Sequence, residues 1–131
     1  MKKFSKGLVA AGLFNILGVL TFTRGMRDFS VGTYFPELFS MWGMALIMVW
    51  GLAFMAMAGR HSKAPEILLV FVLEKVFYFG SWCWWQWGHF TQLPSMWKTN
   101  WLAATFYSAY GPLDLAFAFF FLALFFRVDD K

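Results

Sequence analysis

Four long apolar stretches, each closed off by charged or turn-forming residues, constrain this chain more than any other feature of its sequence. They cover about residues 7–23, 38–59, 66–88 and 101–126. Each approaches the roughly 20 residues that a helix needs to cross the hydrocarbon core of a bilayer. Lys6 and Arg24 bracket the first stretch. The helix-start pair Pro36-Glu37 opens the second, and Arg60-His61-Ser62-Lys63 closes it. Pro65-Glu66 opens the third, and Arg127 ends the fourth. An open chain in lipid satisfies its backbone groups only as helix, and the ten-residue alternation of barrel strands is missing from the sequence. The turn between the second and third stretches is tight, which makes those helices antiparallel neighbours.

Composition agrees with this reading. Of the 131 residues, 60% are apolar and 14% charged, where soluble domains carry about a quarter charged. Eighteen Phe and eight Trp exceed what one small water-soluble core could hide, which excludes a soluble globular enzyme. A disordered tail would be poor in these residues. The single cysteine, Cys83, excludes an intramolecular disulfide and a thiolate metal cluster. A formal charge of +4 without a basic stripe suits membrane lipids with anionic headgroups as partners, and no nucleic acid. The expected fold is all-α integral membrane: residues 1–131 form one four-transmembrane-helix bundle, with the N-terminus and C-terminus cytoplasmic.

That orientation comes from the basic residues flanking the spans. An even number of spans puts Lys2, Lys3, Lys6, Arg60, Lys63, Arg127 and Lys131 on one side and Arg24, Arg27 and Lys98 on the other. The more basic side is the cytoplasmic one. Lys2, Lys3 and Lys6 ahead of an apolar run also resemble a signal peptide, but no small-x-small cleavage pattern precedes Arg24, so the first span is expected to be retained. Trp82, Trp84, Trp85, Trp87, Trp97 and Trp101 gather at the far end of spans three and four. There indole rings are expected to sit at headgroup level with wet N–H groups. Small residues (Gly7, Ala11, Asn15 and Gly18 in span one, Gly43, Gly51 and Gly59 in span two) mark faces where helices approach closely. The Met41, Met44, Met48 and Met55 stripe is read as adaptable packing, because no Cys or His joins it as a metal ligand.

Polar side chains inside apolar spans carry the functional signal. A charged group at mid-bilayer costs about 2.5–3.5 kcal/mol on insertion scales, yet Asn15, Glu74, Lys75 and Asp114 all lie within spans. At about 1.5 Å of rise per residue, Asn15, Glu74 and Asp114 reach similar depths, roughly 12–18 Å from the cytoplasmic ends. Glu74 and Lys75 point about 100° apart. Lys75 either pairs with Asp114, which leaves Glu74 to Asn15 and Tyr78, or snorkels to the headgroups, which leaves the two carboxyls to share a proton. Gln86 lies near the opposite surface and is expected to be wet. Pro112 removes an amide and crowds the carbonyl of Ser108, so span four is expected to bend or unwind over Ser108–Pro112. Tyr107, Tyr110 and Asp114 share one face of span four, as Glu74 and Tyr78 do in span three. An aromatic cavity with a few convergent polar groups is the usual form of a small-molecule site. The candidate ligand or proton site is therefore Asn15, Glu74, Lys75, Tyr78, Tyr107, Tyr110 and Asp114, with a structural polar clamp as the alternative. No catalytic set and no metal site emerge. His61 is read as a solvated loop residue, His89 lies at the other end, and Cys83 is read as a buried packing thiol.

The Gly12-x-x-Asn15 face, the Glu74-Lys75 pair and the Tyr110-Gly111-x-x-Asp114 run resemble small bacterial four-helix membrane proteins of the DoxX-like kind. The resemblance implies a multi-pass protein of the bacterial cytoplasmic (inner) membrane. It also implies an accessory or assembly subunit of a larger membrane complex, plausibly a quinone-linked redox one, without catalysis of its own. Other membrane subunits would be its partners. The alternative, drawn from the residues themselves, is a binding or transport protein for a small apolar or amine-bearing molecule. No cofactor is expected, though a quinone or lipid would suit such a cavity.

Overall fold

A computed structural model describes residues 4–129, which contain helices and connecting turns and no strand. The helices are α1 (Lys6–Phe22), α2 (Pro36–Phe39), α3 (Met41–Ala56), α4 (Glu66–His89), α5 (Leu93–Thr99) and α6 (Trp101–Asp129), with 3-10 turns at Ser30–Tyr34 and Phe90–Gln92. Local chemistry sets several of these boundaries. The Ser5 hydroxyl caps α1 by accepting the Leu8 N–H at 3.1 Å. Asn100 does the same for α6, its side-chain oxygen accepting the Ala103 N–H at 3.1 Å.

Two helical stretches, Glu66–Thr99 and Trp101–Arg127, are long and apolar enough to cross a membrane. Helices α1 and α3 are equally apolar but shorter, at 17 and 16 residues. The second stretch differs most from expectation: the helix over residues 38–59 is interrupted at Ser40 and ends at Ala56. Ser40 is extended, with φ −64° and ψ 177°, so the four-residue α2 folds back on the start of α3. The glycine at position 43 passes directly under the Leu38 carbonyl, where no side chain would fit. Beside this break the Phe39 ring lies in the protein interior, 1% exposed.

The long helices associate as two pairs, α1 on α3 and α4 on α6. At the α1–α3 crossing Gly12 and Gly51 face each other so closely that a Cβ on Gly51 would lie 2.7 Å from the Gly12 carbonyl oxygen. Such backbone approach supplies packing where lipid offers no hydrophobic drive between helices. Gly18, expected on the same packing face, borders open space instead. The methionine stripe divides, Met44 being buried and Met41 exposed.

Two apolar cores stack along the helices. One gathers Leu8, Ala11, Phe54, Phe71, Phe121 and neighbours. The other gathers Val19, Phe39, Met44, Tyr78, Trp85, Tyr107 and neighbours. On α1, α4 and α6 alike, the buried polar residues fall between the two sets. At one end of the molecule the Ser5 N–H donates to the Ala58 carbonyl at 2.8 Å, and Phe4, His61 and Arg127 border a common groove. The start of α1, the α3–α4 loop and the end of α6 thus share one end. Lys2, Lys3 and Lys131, used to orient the chain, lie outside the described residues.

Several expectations are overturned by long-range packing. His61 is buried under the loop with Nδ1 at 3.2 Å from the Ala58 carbonyl, and Cys83 is exposed rather than buried. Two of the six clustered indoles are not wet: Trp85 donates to the Tyr34 carbonyl at 3.1 Å and Trp82 to the Tyr107 carbonyl at 2.7 Å. Gln86 also turns inward, donating to that same Tyr107 carbonyl at 2.7 Å. Helix α6 is unbroken through Pro112, so of the bend or unwinding expected there the unwinding does not occur. Trp82 and Gln86 of α4 both donate to the carbonyl of Tyr107, the residue before Ser108, whose carbonyl Pro112 leaves without its usual donor.

Candidate functional site

Between the two cores, Lys75 is the centre of a buried polar cluster fed by three helices. Its side chain is 2% exposed. The ammonium donates to Asn15 Oδ1 on α1 at 3.0 Å and to Asp114 Oδ1 on α6 at 3.1 Å. Asn15 in turn donates through Nδ2 to the Ile47 carbonyl on α3 at 3.0 Å, so one chain of bonds ties all four long helices. Below the ammonium lie the rings of Phe54 and Phe117, with centroids at 5.1 and 5.6 Å, within range of cation–π attraction. The pairing of Lys75 with Asp114 is therefore realised and snorkelling is not.

Glu74 does not find the partners expected for it. Asn15 spends its oxygen on Lys75, and Glu74 Oε1 stands 3.8 Å from the ammonium, beyond hydrogen-bond range. Among the described residues it is a buried side-chain oxygen with no hydrogen-bond partner. Unsatisfied buried polar atoms are costly, of the order of 1–3 kcal/mol and more for charged groups.

Beside the cluster is a cavity of about 120 Å³. Asn15, Glu74, Lys75, Asp114, Tyr78 and Tyr110 all line it, so six of the seven candidate residues converge on one space. Tyr107 does not. Its hydroxyl donates to the Val31 carbonyl at 2.9 Å and its ring stacks on Trp85 at 4.5 Å, holding the 3-10 turn against α6. Tyr110 is fixed by a 3.0 Å bond between its hydroxyl and that of Ser81.

The rest of the wall was not foreseen. Phe39 and Phe106 supply an aromatic face, their rings 4.8 Å apart and perpendicular within a few degrees. Phe39 is the last residue of α2, just before the extended Ser40 that separates α2 from α3. Gly18, Phe14 and Leu113 form the opposite rim between α1 and α6, and the last two are partly open to the surroundings at 37% and 42% exposure. Comparison with known protein families, curated proteins and solved structures gives no match to this chain. Among the described residues no group of His, Cys, Asp or Glu is arranged to hold a metal ion.

What this arrangement can do chemically follows from its parts. It offers fixed acceptors, one paired ammonium and aromatic walls.

Proposed function

We propose that this chain is a membrane protein that binds a small, largely apolar molecule inside a bundle of four spans. The observation that carries the reading is the convergence of six polar and tyrosine side chains on one aromatic-walled cavity, with a buried carboxyl oxygen left without a hydrogen bond. The test uses a neutral compound of suitable size, 2-phenylethanol, and the four tyrosines of the chain as reporters. With the protein in phosphatidylcholine nanodiscs, the Tyr78 and Tyr110 ring resonances should shift saturably while that of Tyr34 stays fixed. Resonances of Tyr78 and Tyr110 that ignore the compound would overturn the reading.

In this reading both chain termini face the cytoplasm of a bacterial cell, the side on which the basic flanks are more numerous. Ser62→Cys, in the exposed part of the α3–α4 loop, should then react with a membrane-impermeant thiol reagent only in inside-out vesicles.

One observation favours a second role, as an accessory or assembly subunit of a larger, quinone-linked membrane complex of the DoxX-like kind. Helices of 17 and 16 residues rise only about 24–26 Å against a hydrocarbon core of about 30 Å. Short spans are accommodated by thinning the bilayer or by association with other subunits. Native electrophoresis of mildly solubilised source membranes should then give a band well above the mass of the lone chain.

A further inference from the structure

We propose that the cavity takes an organic ammonium ion, whose charged head binds Glu74 and whose apolar body reaches it from the lipid between α1 and α6. This rests on the binding reading above and narrows it to one ligand class. The first support is the unpaired oxygen. Glu74 Oε1 is buried without a hydrogen-bond partner, and the nearest cation, Lys75, gives two of its three N–H donors to Asn15 and Asp114 and stands 3.8 Å away, in ion-pair range but beyond a hydrogen bond. In its carboxylate form Glu74 therefore has room for one more hydrogen-bond donor.

The second support is the balance of charge. When both are ionised, two carboxylates, Glu74 and Asp114, share one ammonium, that of Lys75. A hydroxyl donor would satisfy the oxygen and leave the imbalance. A carboxylate or phosphate head would add a third acceptor and increase the repulsion. An ammonium supplies both the donor and the missing positive charge, and its bond to a carboxylate is of the stronger, charge-assisted kind. The walls suit it as well, since Phe22, Phe39, Tyr78 and Phe106 present aromatic rings on which a cation is stabilised.

Size and access define the rest of the molecule. A space of about 120 Å³ compares with the engineered cavity of about 150 Å³ in another protein that holds benzene. One ring or a short alkyl chain fits, and anything longer must extend outwards. The way out is past Gly18, where a Cβ would meet no atom within 4 Å, between the partly exposed Phe14 and Leu113. That gap opens on the flank of the helices rather than at either end.

The experiment compares 2-phenylethylamine with 2-phenylethanol, which share a body and differ in the head, on the whole chain in phosphatidylcholine nanodiscs. The readout is again the Tyr78 and Tyr110 resonances. The amine should bind about tenfold more tightly than the alcohol, the gain of one charge-assisted bond, and Glu74→Gln should bring the two affinities together. Equal affinities in the unmodified protein would overturn the ammonium assignment and leave the binding reading standing. No saturable shift with either compound would overturn both. Because that comparison uses the unmodified chain, it decides the matter even where Glu74→Gln does not fold. Gly18→Leu places a side chain in open space and should slow exchange of the bound amine several-fold. Unaltered exchange would overturn access from the lipid.

Discussion

Replacing Lys75 by Met is expected to destabilise the folded protein by about 3–5 kcal/mol, the usual cost of removing one partner from a buried ion pair. The ammonium is the common partner of Asn15 and Asp114 and the nearest positive charge to Glu74. Without it, two carboxyl groups and an amide oxygen are left in an apolar layer. The loss comes from stranded polar groups rather than lost volume, since Met fills a similar space. The triple change Lys75→Met, Glu74→Gln and Asp114→Asn removes those charges together and should recover most of the stability, as replacing an entire buried ion pair often does. Denaturant titration in mild detergent, followed by tryptophan fluorescence, measures both. A triple variant no more stable than the single one would mean that Lys75 acts through packing on Phe54 and Phe117. The same geometry explains why Asp114→Asn is a poor test of ligand binding: it strands the ammonium, whereas Glu74→Gln leaves the bonds of Lys75 to Asn15 and Asp114 intact.

The polar layer was legible in the sequence because cost makes it so. Asn15, Glu74, Lys75 and Asp114 stand out against apolar neighbours, and the rise per residue of a helix puts Asn15, Glu74 and Asp114 at one depth before any contact is known. The isolation of Glu74 was not legible. It depends on how far α4 is rotated and on which helix presents an amide to Lys75, and spacing fixes neither. Tyr107 shares a helical face with Tyr110, yet the Val31 carbonyl, 76 residues away in sequence, takes its hydroxyl. His61 and Cys83 were misread for a similar reason: a loop folded under the helix ends buries one, and the outer face of α4 exposes the other. Apolar periodicity also runs unbroken across Ser40, because Leu38, Phe39, Met41 and Trp42 read as one continuous helix. Only the backbone reversal at Ser40 reveals that Phe39 belongs to the cavity.

That reversal makes Phe39 the residue whose loss should reshape the site most. Its ring lies 5.0 Å from Tyr110, 4.8 Å from Phe106 and 6.2 Å from Tyr78, so it connects the aromatic walls contributed by α4 and α6. It is the one buried side chain of the four-residue α2. Phe39→Ala should therefore destabilise the protein by about 3–5 kcal/mol, the range for deleting a buried aromatic ring. The aromatic neighbours are themselves fixed, Tyr110 by Ser81 and Tyr107 by the Val31 carbonyl, so the space is expected to stay open rather than collapse. The enlarged cavity should then accept a fused two-ring compound that the unmodified protein excludes. Thermal unfolding in detergent should be raised by 2-naphthylethanol in the variant and left unmoved in the unmodified chain. A variant that loses stability but gains no affinity for the larger compound would mean that α2 has moved into the vacated space. Phe39 would then hold the chain reversal in place rather than define the cavity.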